Sequence, residues 1–253
     1  MIVIKNKTEI DLMTKAASVT AEILKELPGT IKPGMTTMDL NRWIEDYIIK
    51  NDMKPAFKGY SGFPAAACIS VNEELIHGIP SKKKILQEGD IVSVDLGTIY
   101  KDYYSDAART YPVGKISEEN AKLIKVAEES FFEGLKFCRE GYRIGDVSHA
   151  IQSYIEAAGF SVIRDYVGHG VGRKLHEDPQ VPNYGKAGHG PKLVKGMTLA
   201  IEPMIAAGDW DVDVLSNDWT VVTTDGSMTA HYENSVVITD GDPILLTCQD
   251  RNV

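Results

Sequence analysis

The hydrophobic positions near the N-terminus recur with the spacing of an amphipathic helix. Five apolar residues share one face of this segment: Leu12, Ala16, Val19, Ile23 and Leu27. We expect Thr8 to cap the helix, with Asp11 three residues further on in a short variant of the capping box. Pro28-Gly29 is typical of a helix end. The chain is therefore predicted to begin with a helix that buries one face.

Helical and strand-like segments alternate along the rest of the chain. The pattern predicts helices over about 36–51, 117–138 and 145–158. Strand patterns cover 91–97, 102–111, 198–205, 219–224 and 229–239. Asp225-Gly226 lies between the last two and predicts a hairpin turn. Because no linker or low-complexity tract interrupts this order, residues 1–253 are predicted to form a single catalytic domain.

An internal repeat is present at a constant offset of 107 residues. Gly34, Asp39, Ile44, Gly89 and Asp95 align with Gly141, Asp146, Ile151, Gly196 and Glu202. Chance similarity between two amphipathic helices is the alternative explanation. Since the same offset also pairs two acidic strand residues, we favour a duplication with pseudo-symmetric halves of about 1–110 and 111–253. It predicts a carboxylate from each half near a pseudo-two-fold axis.

Composition excludes several classes of protein. The chain has 253 residues, is 43% hydrophobic and carries a net charge of -9, which argues against direct binding to nucleic acid by phosphate neutralisation. Its three cysteines form no CxxC pair, so neither a disulfide framework nor a structural zinc site is expected. The sequence has no signal-peptide pattern and no apolar run long enough to cross a membrane. A reducing, cytoplasmic location is expected.

Two acidic residues stand in neighbouring predicted strands. Asp95 interrupts an apolar strand, and Asp106 follows it by 11 residues. A hairpin that turns at Tyr100-Lys101 would place the two carboxylates directly opposite each other, where like charges repel. Burying both without a partner is costly, and a bound divalent cation would remove the cost.

Three more ionisable residues stand where the surrounding sequence predicts burial. Glu202 and Glu233 interrupt apolar strands, and His169 lies among glycines. A salt bridge or an edge position explains any one of them, but the set of four carboxylates and one imidazole suggests a metal site. Such hard donors favour Mn, Fe or Co without excluding Zn. Two metal ions a few ångströms apart can activate water and polarise a carbonyl, so hydrolysis is the expected chemistry.

In this order, these residues resemble the five metal ligands of the methionine aminopeptidase family. The surrounding motifs are similar to those of the bacterial type I enzymes: VNEELIHGIP (71–80), GHGVGR (168–173), LHEDPQVPNY (175–184) and GMTLAIEP (196–203). The resemblance extends from about residue 5 to 248. It implies the α+β pita-bread fold, in which pseudo-two-fold related halves form a curved antiparallel sheet backed by helices.

The same resemblance implies an activity. Members remove the initiator methionine from new polypeptides, with a preference for a small second residue. Only 33 residues separate His169 from Glu202, and 31 separate Glu202 from Glu233. These spacings leave no room for the insertion of the type II enzymes. The N-terminus is also too short for the zinc-binding extension of eukaryotic type I relatives.

Metal-binding roles follow from the resemblance, residue by residue. Asp95 is expected to chelate one ion, while Asp106 and Glu233 bridge two. His169 and Glu202 complete the shell of the second ion, and Glu202 also transfers the proton from the attacking water to the leaving amine. The ions are expected to be Co, Mn, Fe or Zn.

Two further histidines match the family's substrate-side positions. His176 is expected to hydrogen-bond the scissile carbonyl and stabilise the tetrahedral intermediate. His77 is expected to contact the peptide backbone beyond the cleaved bond. His149, His189 and His231 have no such match and are interpreted as structural.

A snug apolar pocket for the methionine side chain is also implied. The family's pocket positions are occupied by Tyr60, Phe63, Cys68 and Trp219. Two residues near the pocket depart from the commonest pattern, because Phe57 replaces a small residue and Leu175 stands where Phe is frequent. A monovalent cation near Asn72 and Thr229 is a further implication.

Two alternatives remain open at this point. Prolidases and aminopeptidases P share all five ligands, but they usually carry an additional N-terminal domain and cleave before proline. An inactive relative that serves as a binding module would typically have lost ligands. The expected partner is a peptide or nascent-chain N-terminus, with transient ribosome association, no membrane and a monomeric enzyme.

Overall fold

The computed structural model describes residues 1–248. Its helices are α1 (Lys7–Thr30), α2 (Thr37–Lys50), α3 (Glu118–Leu135) and α4 (Ile144–Ala157), with a 3-10 turn at Tyr60–Gly62. The strands of the first half are β1 (Lys54–Pro55), β2 (Ala67–Val71), β3 (Glu74–Ile76), β4 (Ile91–Leu96), β5 (Thr98–Tyr100), β6 (Tyr103–Tyr104) and β7 (Ala107–Pro112). Those of the second half are β8 (Ser161–Val162), β9 (Gly168–Gly170), β10 (Glu177–Val181), β11 (Thr198–Ile201), β12 (Met204–Ala206), β13 (Val212–Val214), β14 (Val221–Thr223), β15 (Thr229–His231), β16 (Asn234–Val237) and β17 (Ile244–Leu245). Among the described residues, no helix has the length and apolar character that a membrane crossing requires.

The first helix begins and ends at different residues from those predicted. Asn6, not Thr8, caps it: the Asn6 side chain accepts from the Glu9 amide, and the Glu9 carboxylate accepts from the Asn6 amide. This reciprocal pair satisfies two backbone donors. Pro28 lies inside the last turn, and the helix continues to Thr30. The proline removes one backbone donor, but the Ile31 amide still bonds to the Leu27 carbonyl at 2.9 Å.

The other three helices lie where the periodicity predicts them. Helices α2 and α4 are related by the 107-residue offset over their entire lengths. In each, an acidic residue at the third helical position accepts the amide of the N-cap residue, Asp39 in α2 and Asp146 in α4. The two helices therefore start with the same local chemistry.

All strand pairings in the described chain are antiparallel. The sheet orders are β2-β4-β7, β10-β9-β11-β16-β17, β15-β12-β8, β13-β14-β3 and β1-β5-β6. Three predicted strands are each divided into two shorter strands. In each case the two shorter strands belong to different sheets. Asp106, Glu202 and Glu233 all lie at these interruptions. The divisions therefore direct acidic side chains away from regular pairing and towards one place.

The predicted pairing of Asp95 with Asp106 is wrong by two residues. Asp95 lies opposite Ala108 in β7. The turn falls at Lys101-Asp102, where both residues have positive φ, rather than at Tyr100-Lys101. Moving a hairpin turn by one residue moves every cross-strand partner by two. Because side chains alternate with a period of two, Asp106 remains on the same face, as a diagonal neighbour of Asp95.

The turn at Asp225-Gly226 exists, but it does not form the predicted hairpin. The Gly226 amide bonds back to the Thr223 carbonyl at 3.4 Å. The flanking strands then join different sheets, since β14 pairs with β13 and β3, whereas β15 pairs with β12. A turn signal identifies a change of direction but not the partners of the strands on either side.

Two large hydrophobic clusters lie under the sheets. One packs α1 and α2 against β2, β4 and β7, and the other packs α3 and α4 against β11, β15 and β16. A third, smaller cluster contains Phe57, Phe63, Cys68 and Leu175, with Tyr60 and Trp219 packed against it. This smaller cluster does not support either helix pair, and it opens into the cavity described next.

Candidate active site

One cavity of about 230 Å³ contains every predicted metal ligand, both predicted substrate-side histidines and all six predicted pocket residues. The remaining residues of its lining are Ser61, Ile76, Tyr166, Val167 and His231. Residues separated by more than a hundred positions in the chain therefore meet at one site.

The polar end of the cavity holds four carboxylates. Ligand atoms of Asp106, His169 and Glu233 lie within 4.8 Å of one another, as do those of Glu202, His231 and Glu233. Glu233 is common to both sets, so it lies between them. Asp95 adjoins the first set because Asp106 is its diagonal neighbour across β4 and the start of β7.

Burial makes these acids difficult to ionise in the protein alone. It raises the pKa of Asp95 to about 8. The pKa values of Asp106, Glu202 and Glu233 are raised well above their usual range, first by burial and then by the neighbouring carboxylates. Perturbations of this kind are concentrated at functional sites.

His169 presents its Nε2 atom to the carboxylates. Its Nδ1 bonds to the Gly170 carbonyl at 2.8 Å, and because a carbonyl only accepts, Nδ1 carries the proton. Nε2 then lies 3.6 Å from both Asp106 Oδ2 and Glu202 Oε1. Burial lowers the pKa of His169 to about 3, so the ring is neutral and Nε2 has a free lone pair. This is the usual arrangement of a metal-binding histidine.

Glycines make this placement possible. Strand β9 runs between β10 and β11. A side chain on Gly168 would collide with the Ala200 carbonyl, and one on Gly170 would collide with the Asp178 carbonyl. The GHG sequence thus brings His169 deep into the sheet with a neighbour close on each side.

The residues present fit a pair of divalent ions. Asp95 Oδ1, Asp106 Oδ1, Glu233 Oε1 and both ring nitrogens of His231 are buried and have no hydrogen-bond partner among the described residues. Buried polar atoms without partners are costly. Here the carboxylate oxygens and His231 Nε2 lie near one another, and cations would satisfy them together while neutralising the carboxylates.

His176 lies beside this cluster with a fixed ring. Its Nδ1 is 2.7 Å from the Tyr60 hydroxyl, and its ring centroid is 4.2 Å from that of His169. Burial raises the pKa of Tyr60 and lowers the pKa of His176. The pair therefore consists of a protonated phenol and a neutral imidazole.

His77 closes another side of the cavity. Its ring is perpendicular to that of Tyr166 at 5.9 Å and to that of Trp219 at 6.3 Å. Burial lowers the pKa of His77 to about 4. Trp219 in turn meets Phe63 edge to face at 5.1 Å, which makes a continuous aromatic wall.

Sequence reasoning missed the five remaining residues of the lining, among them Tyr166 and His231. Tyr166 stands three residues before His169 in a segment with no clear periodicity, and nothing in the sequence distinguishes it. His231 has no match among the family's substrate-side histidines, which is why the sequence favours a structural interpretation. It precedes Glu233 by two residues, and the period of a strand would have placed both side chains on one face.

Comparisons with known proteins identify the family of this chain. The model of metallopeptidase family M24 matches residues 11–240, and the chain belongs to this family. The methionine aminopeptidase of Clostridium acetobutylicum is 58% identical over 98% of this chain and 99% of its own length. Methionine aminopeptidase 1 of Bacillus subtilis is 48% identical over 98% and 99% respectively. The predicted resemblance to bacterial methionine aminopeptidases is confirmed.

Solved structures confirm the predicted α+β pita-bread fold. A crystal structure of the methionine aminopeptidase from Thermotoga maritima superposes with a TM-score of 0.97 at 51% identity, covering 98% of this chain and 100% of that chain. The prolidase from Pyrococcus furiosus shares the fold alone, with a TM-score of 0.80 at 24% identity. This chain covers 66% of that prolidase.

Proposed function

We propose that this protein is a methionine aminopeptidase, a metal-dependent hydrolase that removes the N-terminal methionine from nascent proteins and peptides. The observation that carries the proposal is the single cavity that joins the acidic cluster to the apolar pocket. A peptide whose first side chain fills the pocket would present its first carbonyl to the cluster. Full-length similarity to bacterial methionine aminopeptidases supports the same activity.

The acidic cluster would hold two divalent ions, Co, Mn, Fe or Zn. Asp95 would bind one ion, Asp106 and Glu233 would bridge both, and His169 with Glu202 would bind the other. Glu233 lies close to the ligand atoms of both candidate sets, which supports its bridging role, and the 3.6 Å between His169 Nε2 and Glu202 Oε1 supports binding of one ion by both. When bound, the ions supply an activated water and polarise the scissile carbonyl.

The protein's own groups would carry the protons. Glu202 would accept the proton of the attacking water and return it to the leaving amine, a role that suits a carboxyl group whose pKa is raised by burial. The Tyr60 hydroxyl would donate to Nδ1 of His176, so that Nε2 of His176 carries the proton. His176 could then donate a hydrogen bond to the oxygen of the tetrahedral intermediate.

The methionine side chain would lie in the apolar part of the cavity. Its walls would be Phe57, Tyr60, Phe63, Cys68, Leu175 and Trp219. Of these, Phe57, Phe63, Cys68 and Leu175 are buried, which favours a fixed pocket that selects a side chain by its shape. His77 would contact the peptide backbone beyond the cleaved bond, and the enzyme would prefer a small second residue.

The wider properties are also proposals. The enzyme would be a single domain of two pseudo-symmetric halves, residues 1–110 and 111–253, supported by the equal spans of α2 and α4. It would act in the cytoplasm as a monomer on peptide and nascent-chain N-termini, with transient ribosome association and no direct nucleic-acid binding. A monovalent cation near Asn72 and Thr229 is supported by the Asn72 and Glu74 carbonyls, which converge on the Thr229 hydroxyl at 2.9 and 3.0 Å.

One assay tests the activity and its rivals together. Metal-stripped protein would be reconstituted with Mn, Co, Fe or Zn and given two peptides, one beginning Met-Ala and the other beginning with a non-Met residue followed by proline. We expect metal-dependent release of methionine from the first peptide alone. A Met-Leu peptide is the matched control for the second residue and should be cleaved far more slowly.

The contrary outcomes are distinct. Cleavage of the proline peptide alone would assign the chain to the prolidase type of chemistry. Cleavage of neither peptide, with metal binding demonstrated by calorimetry, would favour a binding module. Equal cleavage of the Met-Ala and Met-Leu peptides would refute only the preference for a small second residue.

A further inference from the structure

His231 is the most deeply buried residue of the polar end of the cavity. Its side chain is 1% exposed, and neither ring nitrogen has a hydrogen-bond partner among residues 1–248. Its Nε2 lies 3.7 Å from Glu202 Oε2 and 3.8 Å from Glu233 Oε2. These separations closely match the 3.6 Å from His169 Nε2 to each of its two carboxylates.

The distances distinguish two kinds of contact. They are too long for hydrogen bonds, which close at about 2.7–3.2 Å. Two ligand atoms that each lie about 2.0–2.2 Å from one ion are separated by roughly 3.0–3.5 Å, depending on the coordination geometry. The gaps around His231 are therefore close to the spacing of ligands that share a cation. A purely structural buried histidine would instead be expected to satisfy at least one ring nitrogen.

The backbone of His231 is held in a way that matches the backbone of Asp106. The Ser235 hydroxyl accepts from the Asp106 amide at 3.1 Å and donates to the Asp106 carbonyl at 2.8 Å. The Thr110 hydroxyl accepts from the His231 amide at 2.8 Å and donates to the His231 carbonyl at 3.0 Å. Each hydroxyl therefore hydrogen-bonds both the amide and the carbonyl of one residue in the opposite half.

Between these two pairs of hydrogen bonds, the backbones of the two halves bond directly to each other. The Glu233 amide donates to the Ala108 carbonyl at 2.9 Å. The contacts form one antiparallel seam, because each step of two residues forward in the first half is matched by two residues backward in the second. Reversing the seam exchanges Thr110 with Ser235 and Asp106 with His231. His231 thus occupies in the second half the place that Asp106 occupies in the first.

We propose that His231 is a sixth ligand of the metal centre, bound through Nε2 to the ion that Glu202 and Glu233 hold. The inference rests on the proposed metal site. The ion held by Glu202 and Glu233 would then have two imidazole ligands, from His169 and His231. The other ion would have carboxylate ligands only.

Proton NMR of the Co(II)-loaded holoenzyme tests the assignment. The N–H proton of an imidazole bound to paramagnetic Co(II) is shifted far outside the normal range and disappears in D₂O. We expect two such signals in the wild-type protein. His231→Gln should remove one of them, His169→Gln should remove the other, and His149→Gln on the exposed face of α4 should remove neither. Calorimetry should show at least tenfold weaker binding of one Co(II) ion by His231→Gln.

Each outcome leads to a decision. A single signal in the wild type that survives in His231→Gln would overturn the sixth-ligand assignment and leave the five-ligand site standing. Failure of the wild type to bind Co(II) at all would overturn the proposed metal site together with it. A single wild-type signal would by itself contradict two imidazole ligands, so that outcome does not depend on the variants folding.

Discussion

The two halves of the chain build closely similar frames. At the 107-residue offset, the bridge between Thr36 and Ile85 recurs between Arg143 and Lys192. Likewise, β4 pairs with β7 in the register with which β11 pairs with β16, so that Ile91 and Thr198 begin equivalent ladders. The backbone geometry at the site is therefore set twice by the same kind of structure.

The donors placed in these frames differ. The first half presents Asp95, Ala108 and Asp106 at the three positions that face the seam. The second half presents Glu202, Glu233 and His231 there. His169 has a further counterpart in Ser70, since Ser70 faces Ser93 in β4 as His169 faces Ala200 in β11. A shared frame thus fixes where donors lie, and substitutions at a few positions decide what chemistry each half contributes.

The largest expected effect separates Asp95 from its equivalent Glu202. Glu202→Gln should reduce kcat by about 10³-fold, because the group proposed to transfer the proton would be lost. Asp95→Asn should also reduce activity at limiting metal, but excess metal should restore much of it if Asp95 acts only as a ligand. The measurement is a titration of methionine release with Mn or Co for both variants. Equal recovery of the two variants would show that the halves do not differ in proton transfer.

A smaller effect should separate the two substrate-side histidines. His176→Ala should lower kcat by about 10²-fold, since the proposed donor to the developing oxyanion would be removed. His77→Ala should act mainly by raising KM, because it would contact the peptide beyond the reacting bond. Steady-state kinetics on Met-Ala peptides of increasing length gives both constants. Tyr60→Phe is the matched variant for His176 and should reproduce part of its loss in kcat. A fall in kcat for His77→Ala as large as that for His176→Ala would contradict the division of roles.

How far the sequence predicts this arrangement depends on the range of the interactions. Helices α2 and α4 are predictable because their caps and apolar faces are local. The residues of the candidate metal site could be predicted because acidic residues in apolar strands are unusual and because their order matches a known family. The predicted opposition of Asp95 and Asp106 is wrong because the register depends on one turn residue. His231 escapes prediction because its partners, Thr110 and Glu202, are distant in the chain.

The pH dependence of stability should reveal the buried carboxylates in the metal-free protein. Burial raises the folded-state pKa of Asp95 from 3.8 to about 8, so the folded state binds more protons than the unfolded state across this window. The stability that Asp95 contributes is then highest near pH 3.8 and is lost as the pH rises towards 8. We expect the unfolding temperature of the chelator-treated protein to fall by about 2 °C or more between pH 7 and 8, above the range in which the histidines, whose folded-state pKa values are lowered by burial, titrate in the opposite sense.

The metal-loaded protein should show the opposite trend, because ions bind the deprotonated carboxylates and release their protons. Asp95→Asn and Glu202→Gln should each reduce the slope of the metal-free protein. The same scan on both variants therefore compares the two halves. A metal-free protein whose unfolding temperature rises over this range would refute the raised pKa values.

The smallest effects concern the frames themselves, at two pairs of equivalent glycines. Gly34 and Gly141 have φ of 89° and 97°, and a methyl group added at either would meet open space, so replacement by Ala adds only the cost of a left-handed backbone. Each substitution should lower the free energy of unfolding by about 1–2 kcal/mol, and by equal amounts. Gly89 and Gly196 also have matching φ values, 97° and 89°.

Their surroundings differ, however. A methyl group on Gly196 would lie 2.7 Å from the Lys5 carbonyl oxygen and 2.8 Å from Ile4 Cγ2, whereas one on Gly89 would lie 3.9 Å from its nearest neighbour, the Lys115 carbonyl oxygen. The segment before α1 crosses the second half at this point, where the Lys5 amide bonds to the Gly196 carbonyl at 2.8 Å. Gly196→Ala should therefore be more destabilising than Gly89→Ala in urea unfolding. Equal losses for the second pair would mean that the N-terminal segment yields without cost and that the two frames are energetically equivalent.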